Sequence, residues 1–263
     1  MAADNLIDLN SIYWKIPGKS DNREIIHNLE LKIKTGDFVC IMGPTGCGKS
    51  TLLKIIAGLI KVEDGIYAYD GEMITTSIPK NKLKNVGIAY QSDSLCEWLT
   101  AEKNIRLPIS VFGLKNEFDV SERVERMINL VGLKNYRDCY PHEMSGGMRQ
   151  RCAFARALVH NPDVLLLDQP FGALDAITRK ALGAELLKMW HEENKTVVMI
   201  TNNVSEALML ANKVVVLSNA PATVVKKIKV NIPYEDRFKN LMENEEFNVL
   251  SEKLGLLVRA GKE

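Results

Sequence analysis

The stretch Phe38-Val39-Cys40-Ile41-Met42-Gly43-Pro44-Thr45-Gly46-Cys47-Gly48-Lys49-Ser50-Thr51 decides the architecture, because an apolar β-rich run passes directly into the spacing G-x-x-x-x-G-K-[ST]. A strand that is apolar on both faces belongs inside a covered parallel sheet. Where it ends, glycines let backbone N–H groups turn inward around phosphate oxygens. Gly43, Pro44, Thr45, Gly46, Cys47, Gly48 and Thr51 build this cradle, Lys49 neutralises the terminal phosphates, and the Ser50 hydroxyl is a ligand for Mg²⁺. From Thr51 to Ala57 the chain continues as a helix. Cys47 admits two readings: a thiol of lowered pKa at a helix start beside Lys49, or a space-filling residue of the loop.

Further apolar runs at 86–90, 164–168, 197–201 and 214–218 complete the strands of an α/β core. Helices are expected between them, at 177–193 with Ile177, Ala181, Ala184, Leu187 and Trp190 on one stripe, and at 205–211. Residues 6–34 and 65–75 alternate as an antiparallel layer does, and 95–160 read as mainly helical without core strands. The run 164–168 ends in Asp168, placed to hold Mg²⁺ at a phosphate site downstream of the loop. Gln169 follows, where a glutamate could accept a proton from an attacking water; an amide cannot.

Composition excludes several classes. With 34 basic and 33 acidic residues the net charge is +1, so no bulk field favours nucleic acid, which is not expected as a partner. No run approaches the roughly 18 apolar residues of a membrane span, and Met1-Ala2-Ala3-Asp4-Asn5 lacks the features of a signal peptide, so a cytoplasmic location is expected. Five cysteines without a C-x-x-C pair indicate neither zinc nor a disulfide framework; mostly buried, reduced thiols are expected.

Met144-Ser145-Gly146-Gly147-Met148-Arg149-Gln150-Arg151 places a serine and two glycines before a helix. Such a start binds anions through its free N–H groups, or is simply a Ser N-cap. With this motif in place the chain resembles the ATP-binding cassette (ABC) ATPases over nearly its full length. The likeness rests on the phosphate loop, Gln91 after the strand 86–90, S-G-G-M-R-Q-R, the Asp168 strand, Gly172-Ala173-Leu174-Asp175, and the strand end at Thr201. Glu97-Trp98-Leu99-Thr100, the run from Phe171 through Arg179, and Asn203-Val204-Ser205-Glu206-Ala207 are most similar to the importer subfamily for nitrate, taurine, alkanesulfonate and bicarbonate.

The resemblance implies a P-loop NTPase (RecA-like) core with an antiparallel β layer and an inserted helical subdomain. It divides the chain into an ATPase domain, 1–233, with the subdomain at about 95–160, and a helical tail, 234–263. It implies that ATP and Mg²⁺ are held in cis by Lys49, Ser50, Gln91 and Asp168. Ser145, Gly146, Gly147 and Gln150 contact the nucleotide of a second ATPase subunit, and Asp175 works at the dimer seam. Membrane permease subunits dock near Trp98 to Leu107, on the inner face of the cell membrane; the competing reading makes Trp98 a core residue of a helical subdomain.

Two departures bear on catalysis. Gln169 stands where the family usually has glutamate, and Asn202 where it usually has histidine, a residue that can reach and polarise the γ-phosphate. A third concerns adenine: the usual stacking aromatic aligns with Ile16 in Ile16-Pro17-Gly18, with Tyr13 and Trp14 upstream as substitutes, and losing the stack would cost about 1–3 kcal/mol. Three expectations follow. The chain is a transporter subunit whose impaired site is complemented by a competent partner, a homodimeric subunit that is slow or an engineered ATP trap, or a soluble ATP-gated clamp.

Overall fold

The computed structural model describes residues 5–16, 23–92, 94–114, 116–117, 119–238 and 241–260. The N-terminal residues 1–4, Pro17, Gly18 and Gly261, on which some of the readings above fall, lie outside the described residues. In chain order the elements are β1 (Ile7–Lys15), β2 (Glu24–Ile33), β3 (Phe38–Met42), α1 (Lys49–Ile56), β4 (Asp64–Tyr69), β5 (Glu72–Met73), α2 (Lys80–Leu83), β6 (Val86–Ala89), α3 (Ala101–Val111) and α4 (Val120–Leu130). They continue with α5 (Gly146–Leu158), β7 (Val164–Asp168), α6 (Ala176–Glu193), β8 (Thr196–Ile200), α7 (Val204–Leu210), β9 (Lys213–Leu217), β10 (Val224–Lys229) and α8 (Glu245–Ala260). The chain forms two compact units, one of residues 1–79 with 190–263, the other of 80–189.

In the first unit β3 is buried at all five positions and is flanked in parallel by β8 and β9, with Val39 opposite Val198 on one side and Lys213 on the other. Full burial explains why the run is apolar without alternation. The antiparallel β10 pairs with β9, and its Lys226, Lys227 and Lys229 put charge where an apolar edge strand would invite aggregation. A separate antiparallel sheet has the order β2-β1-β4-β5. Here the strands do alternate: Leu29, Leu31 and Ile33 of β2 are buried while Glu30 and Lys32 are exposed, the pattern of a sheet with one wet face. The Tyr67 hydroxyl of β4 donates to the Ile56 carbonyl at 2.6 Å, tying this layer to the end of α1. Burial pushes the Tyr67 pKa up, so the donor stays protonated.

The second unit carries β6 and β7 in parallel, Val86 opposite Val164, with helices α3, α4 and α5. The Asp119 carboxylate caps α4 by accepting from Ser121 N and Glu122 N, and Arg123 reaches the last carbonyls of α5 at Leu158 and Val159. The α6 stripe differs from expectation. Leu182, Gly183, Leu186, Leu187 and Met189 are buried, whereas Ile177 is 84% exposed and Ala181 is exposed. The periodicity is helical in both readings, but alanines spread around α6 leave its phase undetermined, and neighbouring elements choose the buried side.

The segment after β10 is held by Arg237, which is buried and donates to the carbonyls of Ile232 (3.0 Å), Ala211 (3.0 Å) and Met209 (3.3 Å), the last two at the end of α7. Its guanidinium lies 5.8 Å from the centre of the Trp190 ring, whose N–H donates to Gly36 O at 2.8 Å. Replacing Arg237 with Met would leave these buried carbonyls without their donor, at a cost of about 1–3 kcal/mol. We expect Arg237→Met to lower the midpoint of thermal unfolding by about 2–4 °C for each kcal/mol lost, measured by calorimetry.

Candidate functional site

Helix α1 begins without a side-chain cap, because its N-cap is Gly48. Its first turn therefore has no side-chain acceptor, which is the condition under which a helix start binds phosphate. Only glycine fits position 48: φ is +112°, and a Cβ would lie 2.9 Å from Ile25 Cγ2 and 3.2 Å from Ile25 O. Gly46, at φ +78°, has no atom within 4 Å of its notional Cβ, so the loop is packed from beneath at Gly48 and open above at Gly46. Lys49 is buried and donates to Gly43 O at 2.8 Å and Pro44 O at 2.6 Å, holding its ammonium inside the loop where terminal phosphates would lie. Ser50 and Thr51 are half-buried on the first turn.

Cys47 is 1% exposed, and burial pushes its thiol up despite the Lys49 ammonium 4.0 Å from Sγ. The reactive-thiol reading is thus overturned: desolvation of a thiolate outweighs the helix start and the neighbouring cation. All five cysteines are free, three of them buried and Cys96 and Cys139 half-buried. N-ethylmaleimide at neutral pH is therefore expected to modify Cys96 and Cys139 before Cys47, with Cys47 labelling accelerating only as pH rises; peptide mapping checks the order.

At the end of β8, Thr201 is buried and its hydroxyl donates to the buried Glu206 carboxylate, while also accepting from Asn203 N at 3.1 Å. Asn203 caps α7 by accepting from Glu206 N at 3.1 Å. These bonds fix the turn on either side of Asn202, which is exposed. Tyr13 packs its ring edge-on against His27 at 5.2 Å, and Trp14 lies across from Ile26 in the β1–β2 ladder; both aromatics, like Ile16, are half-buried.

In the second unit Asp168 is 3% exposed at the end of the all-buried β7, and Gln169 follows in the left-handed region at φ +48°. Gln91 is exposed just past β6. Ser145 is the N-cap of α5, its hydroxyl accepting from Met148 N at 3.2 Å, so the capping reading holds, and Ser145 and Gly146 are both exposed. Gln150 differs from expectation. It is buried, its amide nitrogen donates to Gln169 O at 2.7 Å, and its amide oxygen accepts from Ala173 N at 2.8 Å. Both ends of the side chain are engaged within the chain, because the residue lies on the inner face of α5, more than a turn beyond Ser145.

Asp175 is exposed and caps α6, accepting from Ile177 N and Thr178 N at 3.1 and 2.9 Å. Bonds from Thr178 first, then Ile177, hold its pKa below the usual carboxylate value. That cap is fully present above the ordinary carboxylate range and is lost only as pH falls through the lowered value.

Trp98 is 76% exposed on the turn before α3, which removes the core reading. The turn is fixed by Asn104, a residue the sequence reading did not single out. Its side chain is fully buried, accepts from Cys96 N, and donates to the carbonyls of Cys96, Leu99 and Thr100. An asparagine in register with Ala101, Ile105 and Ile109 on one helix face was the available signal.

A cradle of backbone amides after one buried parallel strand, and a buried carboxylate closing another, define a P-loop nucleotide-binding protein. Residues 26–172 match the family described as ABC transporter, and the chain belongs to that family. It is 39% identical over 248 residues to an aliphatic sulfonates import ATP-binding protein, SsuB, of Bacillus cereus, covering 94% of each chain. It is 36% identical over 261 residues to the nitrate import ATP-binding protein NrtD of Synechocystis sp. (strain ATCC 27184 / PCC 6803 / Kazusa), covering 97% of this chain and 94% of that one. A dimeric post-hydrolysis state of the ATP-binding cassette MJ0796 bound to ADP and Pi superposes with a TM-score of 0.77 at 29% identity, over 86% of this chain and 99% of the other. The expected ABC ATPase fold is the one found, and the family binds ATP. Among the described residues no helix is long and apolar enough to cross a membrane.

Proposed function

We propose that this chain is the ATP-binding subunit of an anion importer that closes as a dimer on Mg-ATP while its own hydrolytic position is impaired. The observation that carries this reading is an asymmetry within one chain. The phosphate loop and the exposed Ser145-Gly146 turn are intact, whereas the two positions that would act on the γ-phosphate bear Gln169 and Asn202. Oxyanion import is supported by relatives named for sulfonate and nitrate. On this reading the ATPase body is 1–233 and the tail 234–263. The chain sits peripherally on the inner face of the membrane, its exposed Trp98 turn and the residues on to Leu107 receiving a permease subunit.

Lys49 and the loop amides bind the phosphates. Ser50, Gln91 and Asp168 offer a hydroxyl, an amide and a carboxylate, a set of hard oxygen donors suited to Mg²⁺, with Asp168 at the end of a fully buried strand, where a carboxylate is favoured by a cation beside it. Mg²⁺, when bound, supplies charge neutralisation on phosphate oxygens. Ser145, Gly146 and Gly147 meet the nucleotide of a competent partner subunit, and Asp175 lies at the seam between subunits. This chain then completes the partner's site while retaining its own ATP. Gln169 cannot take the proton of an attacking water, and Asn202, shorter than histidine and without charge, supports the γ-phosphate poorly.

The test is ATP turnover by the isolated chain beside Gln169→Glu, Asn202→His and the double variant. Removal of a general base alone costs about 10²–10⁴-fold, so the double variant is expected to exceed the natural chain by at least that range. Turnover by the natural chain equal to that of the double variant would overturn the impaired-site reading.

A further inference from the structure

Helix α5 and the loop that follows β7 are joined through one amide. Gln150 is 8% exposed, and its two ends take up two separate points of the loop: Nε2 donates to Gln169 O at 2.7 Å and Oε1 accepts from Ala173 N at 2.8 Å. A primary amide donates and accepts in one rigid plane, so this pair sets a spacing between the two backbone groups as well as their polarity. One of them belongs to a residue in an unusual state. Gln169 is held at φ +48°, a conformation that non-glycine side chains adopt rarely and keep only where surroundings impose it.

The rest of the loop is tied to the same helix pair. Phe171 is buried edge-on against Phe154 of α5 at 5.5 Å, Gly172 N donates to Gln169 O at 3.1 Å, and Arg179 of α6 donates to Leu174 O at 2.9 Å. A Cβ on Gly147 would lie 3.2 Å from Ala173 O, so the start of α5 also abuts the loop. Displacing α5 must therefore displace Gln169 and Ala173, and with them Asp175 two residues on.

We propose that Gln150 is a positioning residue that makes the Ser145-Gly146-Gly147 turn and the Gln169–Asp175 loop one mechanical piece. Engagement of a nucleotide triphosphate at the turn thereby fixes the loop of the same chain. The inference rests on the reading that the turn receives a partner's nucleotide. It adds a route by which that event reaches the chain's own strand end.

Hydrogen exchange of the full chain, with and without Mg-ATP at dimer-forming concentration, separates the two claims. In the natural chain ATP is expected to protect peptides covering both 144–150 and 169–175. In Gln150→Leu, protection of the turn is expected to persist and protection of the loop to be lost. Gln150→Glu, which can still accept from Ala173 N but cannot donate to Gln169 O, should recover the Ala173 part alone. Affinity for a fluorescent ATP analogue should stay near that of the natural chain in Gln150→Glu, since the phosphate loop is untouched, while the thermal midpoint falls with the lost bond to Gln169 O. In the Gln169→Glu/Asn202→His background, Gln150→Leu is expected to lower kcat about 10–100-fold while KM for ATP stays within about twofold, as misplacement rather than lost binding predicts. Loop protection that survives in Gln150→Leu overturns the proposal alone. Absence of protection at 144–150 in the natural chain overturns the reading of the turn and the proposal together.

Discussion

The complete burial of β3 is the constraint on which the nucleotide-binding half depends. No side chain from Phe38 to Met42 meets water, so its backbone groups must be paired on both sides, which β8 and β9 do in parallel. The chain leaving the C-terminal end of β3 turns through the loop 43–48 into α1 before it enters the separate antiparallel sheet at β4. Gly48 makes that passage possible because its missing side chain lets the loop settle against Ile25, and α1 starts without a side-chain cap.

The turns that follow two other core strands are fixed by hydrogen bonds as well. Thr201, Asn203 and Glu206 form a closed set of bonds around Asn202, which fixes the turn while leaving the Asn202 side chain exposed. Gln169 likewise sits in an imposed backbone conformation whose carbonyl is held by Gln150. At both positions hydrogen bonds with neighbouring side chains hold the backbone.

Much of the fold and of the binding site was legible in the residues because their signals are local. The five strand runs, the strand-to-helix passage at the phosphate loop, and the Ser145 cap depend on hydropathy period, glycine spacing and short-range hydrogen bonding. Each was found within a residue or two of its expected place. For Gln150 the resemblance implied a contact with a second subunit's nucleotide, whereas its in-chain role was not legible, because only the loop folded beside it supplies the two backbone partners that make burial favourable. Cys47 was ambiguous for a related reason: sequence shows the lysine and the helix start, but burial decides the sign of the pKa shift.

The sequence by itself determined the family, the order of elements, and the presence of an amide, Gln169 and Asn202, just past the ends of two core strands, since these are matters of residue identity and spacing along the chain. Tertiary structure alone decided which side of α6 is buried, that Trp98 stands on the surface, that Asn104 fixes its turn, and that Gln150 faces inward. The physical reason is that burial and hydrogen-bond partnership depend on what another part of the chain places beside a residue, and no pattern of neighbours in sequence specifies that.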